Sequence, residues 1–368
     1  MSRRRVAILG STGSIGRQTL EVIRAHPERF EVVGLTAHSS REALQAQAAE
    51  FGTARTGLGA EAAEELAAGA EADVVLNAVV GAAGLRASLA ALASGATLAL
   101  ANKESLVVGG ELCKQAAAAG GGRIVPVDSE HAALAQCLQD RPREEVAKVT
   151  ITASGGPFRT RNDLSGVTPS DALAHPTWSM GPKITVDSAT MMNKALELIE
   201  AHHLFDLDYD DIGVVVHPQS VVHAMAEFVD GSLVMQAAWP DMRIPIASAL
   251  AHPERFGPPP STVDLAEVGS LMFEPLDAGR FPAVGLGYDV GRRGGTYPAV
   301  FNAANEVAVQ AFLDERIAFT GIVEVVSDAV SRHDSTAADS LEAVLAADDE
   351  GRAIARELVT ARGKVQAS

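Results

Sequence analysis

Arg5-Val-Ala-Ile-Leu9 runs without a break into Gly10-Ser-Thr-Gly13-Ser-Ile-Gly16, and an amphipathic stretch continues to Arg24. A short apolar strand, a glycine-rich turn and a helix, in that order, form the first βα junction of a dinucleotide-binding sheet. A side chain in such a turn would hold the backbone away from a pyrophosphate, while the helix N-terminus beyond it faces the phosphate charge. The spacing is G-x-x-G-x-x-G, a variant of the common fingerprint. The plainer alternative is a tight turn with no cofactor. Further apolar segments follow at 30–35, 73–79, 97–101 and 123–127, with helical stretches between them. That alternation predicts an α/β fold with an N-terminal Rossmann-type, doubly wound parallel sheet.

The loop after the second strand bears on which dinucleotide fits. NAD-specific sheets place an acidic residue there for the ribose hydroxyls. This chain has Thr36-Ala-His38-Ser39-Ser40-Arg41 instead, a set that suits a 2′-phosphate and favours NADP over NAD.

A chain of 368 residues is too long for one ordinary core, so two or three domains are expected. Its apolar fraction of 47% and charged fraction of 21% are globular in character. No apolar run approaches the roughly 20 residues of a membrane helix. Met1-Ser-Arg-Arg-Arg5 has the basic character of a secretory leader, but the apolar stretch behind it ends at Gly10. A cytoplasmic chain is therefore expected. Cys113 and Cys137 lie in alanine-rich helical patterns, which fits a reducing compartment. A net charge of −17 argues against nucleic acid and leaves any anionic substrate to local donors.

Beyond residue 127 the pattern changes. Strand-like runs at 148–153, 213–216, 224–229 and 233–237 sit beside Pro- and Gly-rich loops, as in an α+β domain. Gly-Pro-Pro-Pro260 begins a linker-like stretch, and no strand pattern follows Phe281. Ile322, Val325, Val326, Ala329 and Val330 share one helical face, and Leu341, Val344 and Leu345 repeat the pattern. The expected division is a cofactor domain over 1–127, an α+β catalytic and connective domain over 128–257, a linker over 258–279 and a helical bundle over 280–368.

Two segments carry the chemistry. In Pro126-Val-Asp128-Ser129-Glu130-His131 the two carboxylates project to one side of an extended segment, or else cap the helix that follows. Lys183 to Ile199 predicts a helix capped near Asp187 or Ser188, with Asn193, Lys194 and Glu197 on one face and Met192, Leu196 and Ile199 packed inward. Carboxylates without His or Cys partners suit a hard cation, Mg²⁺ or Mn²⁺. Ser154-Gly-Gly-Pro-Phe158 is an anion cradle or a structural turn. Trp178, in His175-Pro-Thr-Trp-Ser-Met-Gly181, is part of a lid or an anchor to the core.

Taken together these segments resemble the 1-deoxy-D-xylulose 5-phosphate reductoisomerase family. The matching stretches are 9–16, 100–106, 125–131, 154–158, 175–181, 186–194, 217–220 and 302–306, in family order over nearly the whole chain. The resemblance implies that Asp128, Glu130 and Glu197 hold the cation, and that Ser154, Ser188, Asn193 and Lys194 grip a phosphosugar. It implies that Lys103, Ser129 and His175 contact the substrate's polar backbone, with Lys103, Glu130 and His175 as the catalytic set. Thr12, Gly13, Ser14, Ile15, His38, Ser39, Ser40, Asn102, Glu104 and Gly181 would meet NADPH. Family members often carry Gly-Lys-Asn or a similar triplet where this chain has His38-Ser39-Ser40. The implied reaction is isomerisation and then NADPH reduction of 1-deoxy-D-xylulose 5-phosphate to 2-C-methyl-D-erythritol 4-phosphate, by a homodimer. Two rivals are a metal-free dehydrogenase with a cysteine nucleophile and a nucleotide-sensing protein without chemistry.

Overall fold

Val6, Ala7, Ile8 and Leu9 are all fully buried, as in a parallel strand covered on both faces. The computed structural model describes residues 3–139, 141–257 and 261–366. Met1-Ser2 of the basic stretch and prolines 258–260 of the expected linker lie outside the described residues. Six parallel strands, β1 (Arg4–Leu9), β2 (Phe30–Ala37), β3 (Thr56–Leu58), β4 (Val74–Asn77), β5 (Thr97–Leu100) and β6 (Arg123–Pro126), run in the order β3-β2-β1-β4-β5-β6. This is the order of dinucleotide-binding sheets, and it reverses direction between β1 and β4. The three-residue β3 is too short to leave a pattern in the sequence.

The helices that interleave with these strands are α1 (Ser14–Ala25), α2 (Arg41–Phe51), α3 (Gly59–Gly69), α4 (Leu85–Ala93), α5 (Glu104–Gly120) and α6 (Ser129–Leu138). α1 buries Gly16, Thr19, Leu20, Val22 and Ile23, the face that a 3.6-residue period turns toward the sheet.

The chain divides into two compact units. The first holds residues 1–106, 110–146 and 223–268; the second holds 107–109, 147–222 and 269–368. The boundaries expected at 127, 257 and 279 follow composition along the chain, and a linear division cannot express a segment that returns. Residues 223–268 do return: the helix Arg243–Ala251 sets Ile246, Ala249 and Leu250 into the same core as Val6, Ile8 and Leu20. β7 (Val146–Ala153) and β8 (Ile212–Val216) pair in parallel within the second unit, Val146 apart. β9 (Val222–Phe228) and β10 (Leu233–Ala237) are neighbours in the first unit, Val222 apart.

The second unit also contains α7 (Pro169–Leu173), α8 (Pro182–Thr190) and α9 (Met192–Phe205). Here the expectation of one helix capped near Asp187 or Ser188 is corrected. α8 starts after Gly181 with Pro182, whose fixed φ and missing N–H suit a first helical turn, so both residues lie inside the helix. Met191, left-handed at φ 62°, ends α8 and starts α9. α9 is also more deeply buried than an amphipathic helix: Lys194, Glu197 and Glu200 are buried along with Met192, Leu196 and Ile199.

The stretch 269–279 is not a free connection. Val216 and Glu274 exchange two backbone hydrogen bonds (2.9 and 2.8 Å), and Gln219 Oε1 accepts the Met272 N–H at 2.8 Å. The rest of the second unit is helical, over Ala283–Arg293, Tyr297–Leu313, Gly321–Arg332 and Leu341–Gln366. The stripe Ile322, Val325, Val326, Ala329 and Val330 is buried, as its period requires.

Candidate active site

The first unit carries the nucleotide end. Gly10 has φ 81°, and a Cβ there would come within 2.7 Å of the Ala78 carbonyl oxygen. A Cβ at Gly16 would collide with the backbone of Gly10 and Ser11. The glycines are thus first a packing requirement of strand, turn and helix. The Gly10 and Ser11 N–H groups both donate to Thr36 O, at 3.0 and 2.8 Å, which ties the turn to the end of β2. Gly13, the N-cap of α1, makes no side-chain capping bond, so no side chain competes for the helix's first amides. Thr12, Ser14 and Ile15 are half-buried around it, and Gly13 is exposed. His38, Ser39, Ser40 and Arg41 are all exposed in the loop after β2. Open amides at a helix N-terminus beside an acid-free polar loop fit NADPH.

Asn102 and Glu104 follow β5. Asn102 is buried, and its Nδ2 donates to Val79 O (2.6 Å) and Gly81 O (2.8 Å) while its Oδ1 accepts the Ser105 N–H (3.1 Å). Its side chain is occupied in holding the loop after β4. Asn77, Ser88 and Ser105 complete this buried network, with Asn77 Nδ2 to Ser88 Oγ at 2.8 Å and Ser88 Oγ to Ser105 Oγ at 2.9 Å. Ser105 lies in the quoted stretch 100–106 without a role assigned to it, and nothing in the sequence marked Asn77 or Ser88 except polarity at the end of an apolar strand or inside an alanine-rich helix.

Asp128 caps α6 by accepting the Glu130 N–H at 3.2 Å, so the helix-capping role proposed for it is real. It also faces Lys103 Nζ at 2.5 Å and His131 Nδ1 at 3.0 Å. Burial opposes its charge, but Lys103 and then His131 outweigh that and hold its carboxyl well below the usual carboxylate range. Glu130 accepts from the Ser129 hydroxyl. His131 is fully buried and belongs to a quoted motif, yet composition and spacing gave it no role.

The second unit carries a hydroxyl and imidazole cluster. His175 Nε2 lies 3.1 Å from both Ser154 Oγ and Ser188 Oγ. Its Nδ1 accepts the N–H groups of Thr177 (3.1 Å) and Trp178 (2.9 Å), which assigns the ring proton to Nε2. Gly156 has φ 64°, and a Cβ on it would approach Ser188 O to 2.8 Å. The Gly155-Gly156 turn therefore lets β7 press Ser154 against α8. Trp178 is half-buried. Along α9, Asn193 Nδ2 and Lys194 Nζ both donate to the Glu197 carboxylate. Gly181, carried over as a nucleotide contact, lies in this unit at the start of α8.

The donor chemistry fits a hard divalent cation. Asp128, Glu130 and Glu197 offer carboxylate oxygens, each already met by a cation or hydroxyl donor. The thiols do not fit softer chemistry. Burial pushes Cys113 up to about 12 and Cys137 up to about 11. Burial thus disfavours both thiolates, the reverse of the environment that activates the cysteine nucleophile of a metal-free dehydrogenase.

Comparison with known proteins agrees along the chain. The family model for 1-deoxy-D-xylulose 5-phosphate reductoisomerase matches residues 6–57 and 53–110, and its C-terminal domain model matches 124–205. A further DXP reductoisomerase C-terminal domain model matches 237–354. A reductoisomerase of this name from Leifsonia xyli subsp. xyli is 54% identical over 361 residues, spanning 98% of this chain and 99% of that protein. One from Mycolicibacterium smegmatis is 52% identical, spanning 99% and 97%. The Zymomonas mobilis enzyme, solved in complex with NADPH, superposes with a TM-score of 0.91 at 42% identity over 97% of this chain and 99% of its own. A DOX-P reductoisomerase solved with NADPH, fosmidomycin and magnesium gives a TM-score of 0.90 at 39% identity, over 97% and 98%. With about half of its residues identical to these relatives over nearly the full length of both chains, the chain belongs to the 1-deoxy-D-xylulose 5-phosphate reductoisomerase family.

Proposed function

We infer that this chain converts 1-deoxy-D-xylulose 5-phosphate into 2-C-methyl-D-erythritol 4-phosphate, as an NADPH-dependent oxidoreductase that requires a divalent cation. The observation that carries this conclusion is end-to-end family membership at about half identity. Solved relatives that hold NADPH and magnesium support the cofactors. Asp128, Glu130 and Glu197 hold Mg²⁺ or Mn²⁺, which when bound supplies Lewis acidity and a template for neighbouring substrate oxygens. NADPH would be bound by Thr12, Gly13, Ser14, Ile15, His38, Ser39, Ser40, Asn102, Glu104 and Gly181, and would supply the hydride to the aldehyde carbon of the isomerised substrate.

The chain's own groups do the rest. Ser154, Ser188, Asn193 and Lys194 donate to the substrate phosphate. His175, with its proton on Nε2, stands beside both serines and orders their hydroxyls. Ser129 contacts the sugar backbone, Lys103 Nζ polarises a substrate oxygen, and Glu130 handles a proton at the reacting carbons. Phosphate binding away from those carbons closes the Trp178 loop and excludes water. The product fits isoprenoid precursor synthesis in the cytoplasm, and the active form is a homodimer. Sedimentation equilibrium at twice the 38.2 kDa chain mass supports the dimer, and a monomer mass refutes it.

The test follows NADPH absorbance with deoxyxylulose phosphate, with Mn²⁺ supplied or withheld. Oxidation that needs both substrate and metal is the expected result. Turnover that survives EDTA returns the question to a metal-free dehydrogenase, and NADPH binding without turnover returns it to a sensor. In the Glu197→Gln variant the metal concentration for half-maximal rate rises by about tenfold or more, with NADPH affinity nearly unchanged. Full activity of that variant in metal buffer removes Glu197 from the site.

A further inference from the structure

Asp187 has no part in the chemistry above, yet it is one of the most deeply buried carboxylates in the second unit, at 1% exposure. It sits one residue before Ser188 inside α8. Lys183 Nζ reaches it at 2.8 Å from one turn earlier, where the Trp178 loop ends. Its second partner comes from elsewhere in the chain: Asn305 Nδ2 donates to Asp187 Oδ1 at 2.8 Å. Asn305 is fully buried in the helix Tyr297–Leu313 and belongs to the stretch Asn302-Ala-Ala-Asn-Glu306, which the function has not used. Only the Nδ2 end of its amide can face a carboxylate oxygen, and its Oδ1 is left buried with no hydrogen-bond partner. A buried acceptor without a partner is costly, so the amide is held in this orientation by what it gives to Asp187.

The same helix is held from its other side. Glu306 accepts from Asn302 Nδ2 at 2.9 Å and from Arg352 Nη2 at 2.6 Å, and Arg352 also binds Asp348. Two separate sets of charged and amide bonds thus meet the helix Tyr297–Leu313: one ties it to the C-terminal helix through Glu306, and the other ties it through Asn305 to the turn of α8 that carries Ser188.

We propose that Asp187 and Asn305 are a positioning pair that fixes α8, and through it Ser188, for the substrate phosphate. This rests on the assignment of Ser188 as a phosphate ligand. The pair acts through Ser188 and touches no substrate. A purely structural role would lower stability and leave the kinetic constants in proportion; a positioning role raises KM for the phosphosugar and weakens inorganic phosphate as a competitor, while KM for NADPH holds.

The experiment uses the full chain with NADPH and Mg²⁺ and compares Asn305→Ala, the isosteric Asp187→Asn, the reversed pair Asp187→Asn with Asn305→Asp, and Ser188→Ala. Each single change at the pair is expected to raise KM for the phosphosugar and Ki for phosphate by about tenfold, a loss of about 1.4 kcal/mol, with NADPH unaffected. The reversed pair, which restores an amide against a carboxylate, recovers most of it. If Asn305→Ala does not fold, Asp187→Asn carries the comparison because it keeps the shape. If Ser188→Ala raises KM but the pair variants do not, or if the reversed pair is no better than the singles, the positioning role is wrong. If Ser188→Ala has no effect on KM or Ki, the phosphate assignment fails and takes the inference with it.

Discussion

His175 bonds two hydroxyls through one nitrogen and two backbone amides through the other. A proton on Nδ1 would break both amide bonds and free the loop that starts there. Burial pushes the ring below its ordinary value of 6.5. The sign of the linkage follows: as pH falls, the unfolded chain takes up this proton first, so stability from His175 is complete above 6.5 and declines between 6.5 and the folded value. In an NMR titration of the free enzyme, with the resonance assigned by its loss in His175→Gln, the ring should titrate below 6.5. A midpoint at or above that value would show the neutral clamp to be wrong. Asp128 illustrates the opposite balance, since the Lys103 ammonium and the bond to His131 outweigh its burial and hold its carboxyl well below the usual carboxylate range.

At the scale of elements, the turn from Gly10 to Gly16 was legible because its requirement is local. Strand, glycine turn and helix are contiguous, and the period of each is written in consecutive residues. The same holds for the buried stripe 322–330 and for β10, whose bounds match the expected 233–237. The elbow at Met191 was not legible, because a buried methionine at φ 62° obeys tertiary packing and contradicts its own preference. Asn77 was not legible either, and Ser105 and Asn305, though inside quoted motifs, gave no hint of their roles, because the partners of all three lie on other elements and leave no spacing to read. The carboxylates and the Asn193, Lys194 and Glu197 face were picked out by spacing and donor chemistry, whereas the phosphate roles of Ser154 and Ser188 came only from the family motifs, since a serine carries no mark of its destination. The glycine turn yields a direct test. Alanine at Gly16 must displace either α1 or the Gly10 carbonyl, which should cost about 1–3 kcal/mol. The displaced helix N-terminus should also weaken NADPH. Thermal melts and a fluorescence titration measure the two effects, and an unchanged affinity would mean that α1 does not receive the pyrophosphate.

For the whole molecule, a net charge of −17 sets a problem that two anionic ligands must solve differently. The groups assigned to NADPH, Gly181 apart, belong to the first compact unit, and on that assignment its phosphates would be met by backbone amides and by the exposed loop His38 to Arg41. None of that depends on the cation-binding carboxylates. On the proposed assignment the phosphosugar differs, because its polar end would meet Asp128, Glu130 and Glu197, and three carboxylates repel a polyhydroxy phosphate unless a cation stands between them. The two ligands should therefore stabilise the fold under different conditions. NADPH at about a hundred times its Kd should add about 2.7 kcal/mol whether or not EDTA is present. A phosphonate analogue of the substrate should raise the melting temperature only when Mg²⁺ is supplied. A scan of all four combinations decides the matter: loss of the NADPH shift in EDTA would place the cation within the nucleotide's reach, and a metal-independent shift with the phosphonate would leave the phosphate donors sufficient by themselves.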